Sequence, residues 1–254
     1  MAYSPVRKRN LYNPTSSKPY KVSRSKIALF LECAKCFYLD RRLGIKRPEM
    51  PRFSLNIAVD ELLKREFDIY REKQQPHPIM AEAGLDAIPF AHPELEAWRD
   101  SLRRGVMYHD KKTNLVISGG IDDVWVKPNG ELIVVDYKAT STRGEITLEG
   151  KWKDGYKRQL EIYQWLLRNN GFQVSDTGYF VYCNGVSDSD MFDAKLDFEV
   201  HLLPYTGDGS WIKTTVTELH ACLTTDSLPQ ASATCEYCMY REAVGDAKIE
   251  KRLL

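Results

Sequence analysis

The stretch Gly119-Gly120-Ile121-Asp122-Asp123-Val124-Trp125-Val126-Lys127-Pro128-Asn129-Gly130-Glu131-Leu132-Ile133-Val134-Val135-Asp136-Tyr137-Lys138 decides the fold. Two runs rich in β-branched and aromatic residues flank Pro128-Asn129-Gly130, which predicts a β-hairpin. Proline suits the first central position of a type I turn, asparagine the second, and glycine the left-handed residue that follows. This is a three-residue loop with a glycine bulge. With Lys127 opposite Glu131, Asp122 lies opposite Asp136, and Lys138 falls two residues further along the same face. Val124, Val126, Leu132 and Val134 fill the rest of that face. Two carboxylates and a lysine thus converge at one end of an apolar surface. Unpaired charge is costly there, and a divalent cation offsets the cost. The same register puts Asp123 on the opposite face with Trp125, Ile133 and Tyr137, so Asp122 is the better ligand candidate. A two-residue Asn129-Gly130 loop would instead set Asp122 across from Tyr137 and separate the acids.

Outside the hairpin, the pattern predicts a basic, flexible arm over 1–22 and a single domain over 23–254. Pro5, Pro14 and Pro19 oppose regular structure in the arm. Residues 1–26 carry Arg7, Lys8, Arg9, Lys18, Lys21, Arg24 and Lys26 and no acid. Such an arm can follow a phosphate backbone through counterion release, or serve as a solubilising tail. Ser23 or Ser25 caps a helix running to about Leu43, where Gly44 stops it. A second helix spans roughly 55–72. The segment 74–93, with Pro76, Pro78, Pro89 and Pro93, reads as a long irregular connection, a lid or a mobile stretch. A short helix near 94–104 precedes the hairpin. A polar loop over 140–153 leads to a helix at 155–169, then strands at 177–184 and 196–204. A helix at 211–225 precedes the cysteine-bearing end. The order helix, hairpin, helix, strand is that of an α/β domain.

A chain of 254 residues, 43% hydrophobic and 28% charged, suits one large domain or a domain with attachments. Its net charge of +1 gives no global sign of nucleic-acid binding. No apolar run approaches membrane-spanning length, and the N-terminus lacks a signal-peptide core, so an intracellular, cytoplasmic protein is expected. The six cysteines then read as metal ligands and buried thiols rather than a disulfide framework.

Gly-x-Ile-Asp followed by Asp-Tyr-Lys resembles motifs II and III of the PD-(D/E)XK nucleases, with Ile121 where the name-giving proline stands. Gln159-Leu160-Glu161-Ile162-Tyr163 resembles the Gln-x-x-x-Tyr motif of their RecB-like branch. Residues 25–39, with Cys33 and the pair Phe37-Tyr38, resemble that branch's opening helix. Cys235-Glu236-Tyr237-Cys238 resembles the closing cysteines of its iron–sulfur members, among them AddB-type nuclease domains and CRISPR-associated adaptation nucleases. The matches run over about 23–243 in the family's order.

The resemblance implies a restriction-endonuclease-like core, a central mixed sheet flanked by helices, with phosphodiester hydrolysis that depends on Mg²⁺ or Mn²⁺. It implies Asp122 and Asp136 as metal ligands, the Tyr137 carbonyl as a further oxygen, and Lys138 beside the scissile phosphate. A third ligand is expected from the second helix, where RecB-like enzymes often carry histidine and this chain has Asp60. Helical projection puts Leu55, Val59, Leu62, Leu63 and Phe67 on one face, with Asp60 at its border and Glu61 pointing away. Glu66 is the runner-up. Carboxylate in place of imidazole favours Mg²⁺ or Mn²⁺ over softer metals. Gln159 and Tyr163 share a helical face and can bond phosphate oxygens or water without adding negative charge. Lys157 and Arg158 are nearby candidates for phosphate contacts.

Cys33 and Cys36, read as i,i+3 on one helix, and the second CxxC pair, Cys235 and Cys238, form a candidate four-thiolate clip. It would join the N- and C-terminal segments around a [4Fe–4S] cluster or, alternatively, a structural zinc. The family's iron–sulfur pattern has one N-terminal cysteine and three near the C-terminus. Here Cys36 is additional, and the last cysteine is missing after Cys238. Cys183 and Cys222 read as small core residues.

Taken together, these residues predict a metal-dependent deoxyribonuclease. By resemblance it acts on single-stranded DNA or DNA ends, as an exonuclease rather than an endonuclease. The rivals are a non-catalytic DNA-end-binding subunit of a helicase or integrase complex, and a ribonuclease.

Overall fold

The computed structural model describes residues 6–48 and 53–249. Its first half contains β1 (Tyr20–Ser23), α1 (Arg24–Glu32), α2 (Ala34–Arg41), α3 (Ser54–Lys73), α4 (Pro78–Glu82), β2 (Ile88–Pro89), α5 (Leu95–Arg99), β3 (Val106–Asp110) and β4 (Leu115–Gly119). There follow β5 (Asp123–Val126), β6 (Leu132–Thr140), α6 (Asp154–Asn169), β7 (Thr177–Gly185), β8 (Phe198–Thr206), α7 (Ser210–Thr224) and α8 (Glu236–Ile249). The chain divides into two compact units. One is built from the described residues of 1–51 with 109–116 and 210–249, the other from the described residues of 52–108 with 117–209.

The second unit is organised by a five-stranded mixed sheet in the order β2-β5-β6-β7-β8. Its β5–β6 hairpin has the predicted register, with Trp125 opposite Ile133 and Val126 opposite Leu132. Lys127 N–H donates to Glu131 O at 3.0 Å, and Gly130 takes the left-handed conformation, φ +84°. An L side chain resists that φ, which is why glycine closes the loop. Strand β6 pairs in parallel with β7, the crossover being α6, and β7 returns antiparallel into β8.

One sheet face carries Trp125, Ile133, Val135, Tyr137, Val181 and Cys183, packed against Leu63 and Phe67 of α3 and against Met80 and Ala87. Phe67 stacks on Trp125 with ring centroids 5.5 Å apart. Burying side chains of this size contributes about 1.5–3 kcal/mol each. On the other face, α6 lies so near the strands that a Cβ on Gly178 would fall 2.7 Å from the Leu160 side chain. Of the apolar stripe read over 55–67, Val59, Leu63 and Phe67 dock α3 on the sheet, whereas Leu55 and Leu62, expected on the same face, stay exposed because they lie to the side of that contact.

The segment 74–93 is more regular than its prolines suggest. His77 caps α4 by accepting the Ile79 N–H at 3.2 Å, Pro78 occupies the first turn, and Met80 is fully buried. Pro89 sits in β2, an edge strand, where a missing N–H is tolerated. These residues form part of the core and of the sheet edge rather than a lid.

In the first unit, the expected helix from Ser23 to Leu43 is two helices. Cys33 is extended, φ −161° and ψ 108°, and serves both as the C-cap of α1 and as the N-cap of α2. Cys33 and Cys36 are thus not i,i+3 on one helix, and the break turns the Cys33 thiol independently of α1. The basic arm is bonded along α2 from Val6 onward. Arg7 N–H donates to Gly44 O and Tyr12 N–H to Arg41 O, each at 2.8 Å, while Lys26 and Arg7 stand 2.7 and 3.4 Å from buried Asp40. The strands β1, β4 and β3 form a separate three-stranded sheet in that order, and the sequence left its β3–β4 hairpin unassigned. Among the described residues, no helix is long and apolar enough to cross a membrane.

Candidate active site and metal centre

The paired register runs as far as Asp123 opposite Val135, and Asp122 and Asp136 are the next residues on either side of it. Asp122 Oδ2 accepts the backbone N–H of Tyr137 at 3.1 Å. Asp136 is wholly buried; its Oδ1 accepts from Gln159 Nε2 at 2.6 Å, and its Oδ2 is bonded by the Lys138 ammonium. Gln159 also donates to the Tyr163 hydroxyl at 3.0 Å. Close packing beneath Tyr163 requires Gly119, since a Cβ there would lie 2.5 Å from the tyrosine ring. Lys138 Nζ additionally stands 3.4 Å from the Tyr137 carbonyl and 4.7 Å above the Tyr156 ring.

Asp60, on α3, approaches from the side through a lysine the sequence did not single out. Lys64 Nζ lies 2.7 Å from Asp60 Oδ2 and 3.6 Å from Asp122 Oδ1. Burial, then the neighbouring Asp122 charge, holds the Asp60 carboxyl above its ordinary 3.8, against the opposing pull of Lys64 and Lys138. Burial alone would lower Lys64, but the charges of Asp122 and Asp60 outweigh it and keep the ammonium above its usual 10.5. A cavity of about 130 Å³ opens between Asp60, Asn56, Lys138 and Tyr156. The oxygens here are those of Asp60 and Asp122, both paired with Lys64, and of Asp136 and the Tyr137 carbonyl, both near Lys138, all of them hard donors. That donor set suits Mg²⁺ or Mn²⁺. The three carboxylates are not drawn together as tightly as the cysteines described below.

Glu66, the alternative ligand, instead meets His77 at 2.9 Å and is half exposed. Asp123 sits on the opposite face as predicted, fully buried, and what holds it there was not legible. Arg71 pairs with it directly, Arg99 Nη2 stands 3.4 Å away, and the Tyr137 hydroxyl donates to it at 2.7 Å. Arg99 also grips Asp68 with both terminal nitrogens, at 2.9 and 3.0 Å. This network locks α3, α5 and β6 together directly beneath the acids. Tyr182 was likewise missed, although strand alternation over 177–184 carried a signal. It pairs in register with Lys138, is buried, and has a hydroxyl without a hydrogen-bond partner among the described residues. Burial, followed by Tyr156 and Asp136, pushes its phenol upward.

The clip expected in the first unit is present. The sulfurs of Cys33, Cys36, Cys235 and Cys238 all lie within 4.8 Å of one another, and all four residues are buried. Cys183, in the sheet core, and Cys222, on α7, stay outside it. Leu29 and Ala231 pack around the cluster, and Arg47 Nη2 donates to Cys235 Sγ at 3.2 Å. Burial would raise the Cys33 thiol, but backbone N–H groups of Ser232 and Cys36 and the neighbouring thiols bring it down to about 7. Burial instead holds the neighbouring Cys36 and Cys238 thiols above their ordinary 9.0.

The family model of the PD-(D/E)XK nuclease superfamily matches residues 21–243, which include both sites. No curated protein matches the chain.

Proposed function

The chain belongs to the PD-(D/E)XK nuclease superfamily, a family of metal-dependent nucleases, and from that premise we propose that it hydrolyses phosphodiester bonds of DNA at Asp122, Asp136 and Lys138. The observation that carries this is the joint attachment of Lys138 and Gln159 to fully buried Asp136. A DNA-binding surface alone has no need to bury a carboxylate beneath a lysine and an amide.

Asp122, Asp136 and the Tyr137 carbonyl would hold Mg²⁺ or Mn²⁺, with Asp60 as the third carboxylate. When bound, such an ion supplies positive charge for activating water and for stabilising the leaving oxygen. Gln159 aims the Asp136 carboxylate without adding charge, and Tyr163 in turn holds Gln159. Lys138, released from Asp136, faces the scissile phosphate, where its ammonium orients water or stabilises the charge that develops there. Lys64 is the resident counter-charge of Asp60 and Asp122. Tyr156 carries Lys138 on its ring and walls the cavity. Lys157 and Arg158, on the same helix, reach for backbone phosphates.

The likeness of residues 25–39 and 159–163 to the RecB-like branch supports single-stranded DNA or DNA ends as substrate, cut exonucleolytically. It also supports work alongside a helicase or integrase. The test is incubation of the full chain with end-labelled single-stranded DNA, duplex DNA and RNA, in Mg²⁺, Mn²⁺ or chelator. Stepwise shortening of DNA from an end, with single strands preferred and metal required, is the expected result. Shortening of RNA alone makes the protein a ribonuclease. Binding of DNA ends without cleavage makes it a non-catalytic end-binding subunit.

A further inference from the structure

We infer that the four-cysteine centre holds one zinc ion rather than a [4Fe–4S] cluster. The sulfur separations carry this. Cys36 Sγ lies 3.6 Å from Cys238 Sγ and 3.7 Å from Cys235 Sγ, and Cys33 Sγ lies 3.9 Å from Cys238 Sγ. A tetrahedral zinc with sulfur ligands at about 2.3 Å separates neighbouring sulfurs by the tetrahedron edge, about 3.8 Å. The three separations straddle that edge. In a [4Fe–4S] cube each cysteine binds a different iron at an outer corner, so the whole body of the cluster stands between the sulfurs. Four sulfurs all within 4.8 Å of one another enclose room for one ion, not for eight atoms.

The arrangement of ligands agrees. They come as two CxxC pairs, a spacing suited to closed tetrahedral Cys₄ sites, and this is also where the chain departs from the family's one-plus-three iron–sulfur pattern. All four donors are protein sulfurs, so no coordination position is left open, as befits a structural ion. Four thiolates around a divalent cation leave a net charge of −2, and Arg47 is placed to offset part of it. Its guanidinium donates to Cys235 Sγ at 3.2 Å and lies 4.5 Å over the Tyr237 ring. Glu32 holds the same side chain at 2.6 Å. Outer-shell partners of this kind orient ligands and tune metal sites. The ion would tie Cys33, at the break between α1 and α2, and Cys36, within α2, to Cys235, just before α8, and Cys238, in its first turn. This inference is independent of the hydrolytic reading, since none of these residues belongs to the acid and lysine site.

The full chain is produced with both iron and zinc supplied, purified anaerobically, and its metals and acid-labile sulfide are measured together with visible and X-ray absorption spectra. The expected result is one zinc per chain with four sulfur neighbours at about 2.3 Å, no labile sulfide and no visible charge-transfer band. Substituting Cys36→Ser or Cys235→Ser should reduce bound zinc at least tenfold. If either variant is too unstable to purify, the wild-type spectra decide alone. Iron and labile sulfide in equal amounts, with a visible band, would overturn the inference. So would a zinc shell with fewer than four sulfurs, or wild-type protein free of metal.

Discussion

Gln159 donates its amide to the Asp136 carboxylate at 2.6 Å, joining α6 to β6 across the crossover of the sheet. The same nitrogen reaches the Tyr163 hydroxyl at 3.0 Å, so the carboxylate's orientation depends on two residues one helical turn apart. Supporting residues of this kind typically cost roughly 10–100-fold in metal affinity or activity when removed. Gln159→Ala is expected to weaken Mn²⁺ binding and slow cleavage within that range, as read by metal titration and by initial rates. Unchanged values for both would show that Asp136 holds its position without the amide.

Lys138→Ala should lower kcat on the order of 10²–10³-fold, the loss typical of a group aimed at developing charge. Affinity for DNA, measured with Ca²⁺ in place of Mg²⁺, should change little. Equal losses of rate and affinity would assign Lys138 to anchoring the substrate instead.

Lys64 occupies the ground between two proposed metal ligands, 2.7 Å from Asp60 and 3.6 Å from Asp122. A divalent ion must compete with this built-in cation. Lys64→Met is therefore expected to tighten Mn²⁺ binding several-fold while lowering the melting temperature of metal-free protein, and saturating Mn²⁺ should restore much of the difference. Weaker Mn²⁺ binding in Lys64→Met would mean that the lysine assembles the acids rather than competing for them.

The buried Tyr137 hydroxyl donates to Asp123, and burial, followed by the charge of Asp123, raises its phenol well above the ordinary 10.0. The folded state then keeps this proton where the unfolded state sheds it. Stability from this source is complete below about pH 10 and declines as pH rises beyond it. Tyr137→Phe should flatten that alkaline decline in denaturation experiments. At neutral pH it should cost about 1.5–3 kcal/mol, the usual value of a hydrogen bond to a charged partner. An alkaline limb identical in the variant would place its origin elsewhere.

The parts of this molecule legible in the sequence are those set by local chemistry. Pro128-Asn129-Gly130 dictates a loop, the loop dictates the register, and the register places Asp122 and Asp136 together. Val59, Leu63 and Phe67 of the α3 stripe and the i,i+4 pair on α6 are local in the same sense, while Leu55 and Leu62 of that stripe are exposed. The rest depends on distant partners. Cys33 adopts an extended backbone inside a helix-like run because its sulfur joins a cluster completed two hundred residues later. Asp123 resembles any exposed hairpin acid until Arg71 and Arg99 meet it from α3 and α5. Lys64 reads as a solvated i,i+4 partner of Asp60, and only the folded sheet brings Asp122 to its other side. The prolines of 74–93 signal interruption, yet they sit where interruption is harmless, in the first turn of α4 and on an edge strand.

The central claim is that Asp136 is a metal ligand of a DNA-cleaving site. Wild-type protein and Asp136→Asn, with matched melting temperatures, are compared on one end-labelled single strand in Mg²⁺, Mn²⁺ and chelator. Wild type is expected to shorten the strand only when a divalent ion is present, and Asp136→Asn to leave it intact in every condition while still binding it. Cleavage by Asp136→Asn at the wild-type rate, or wild-type cleavage undiminished by chelator, would contradict the account.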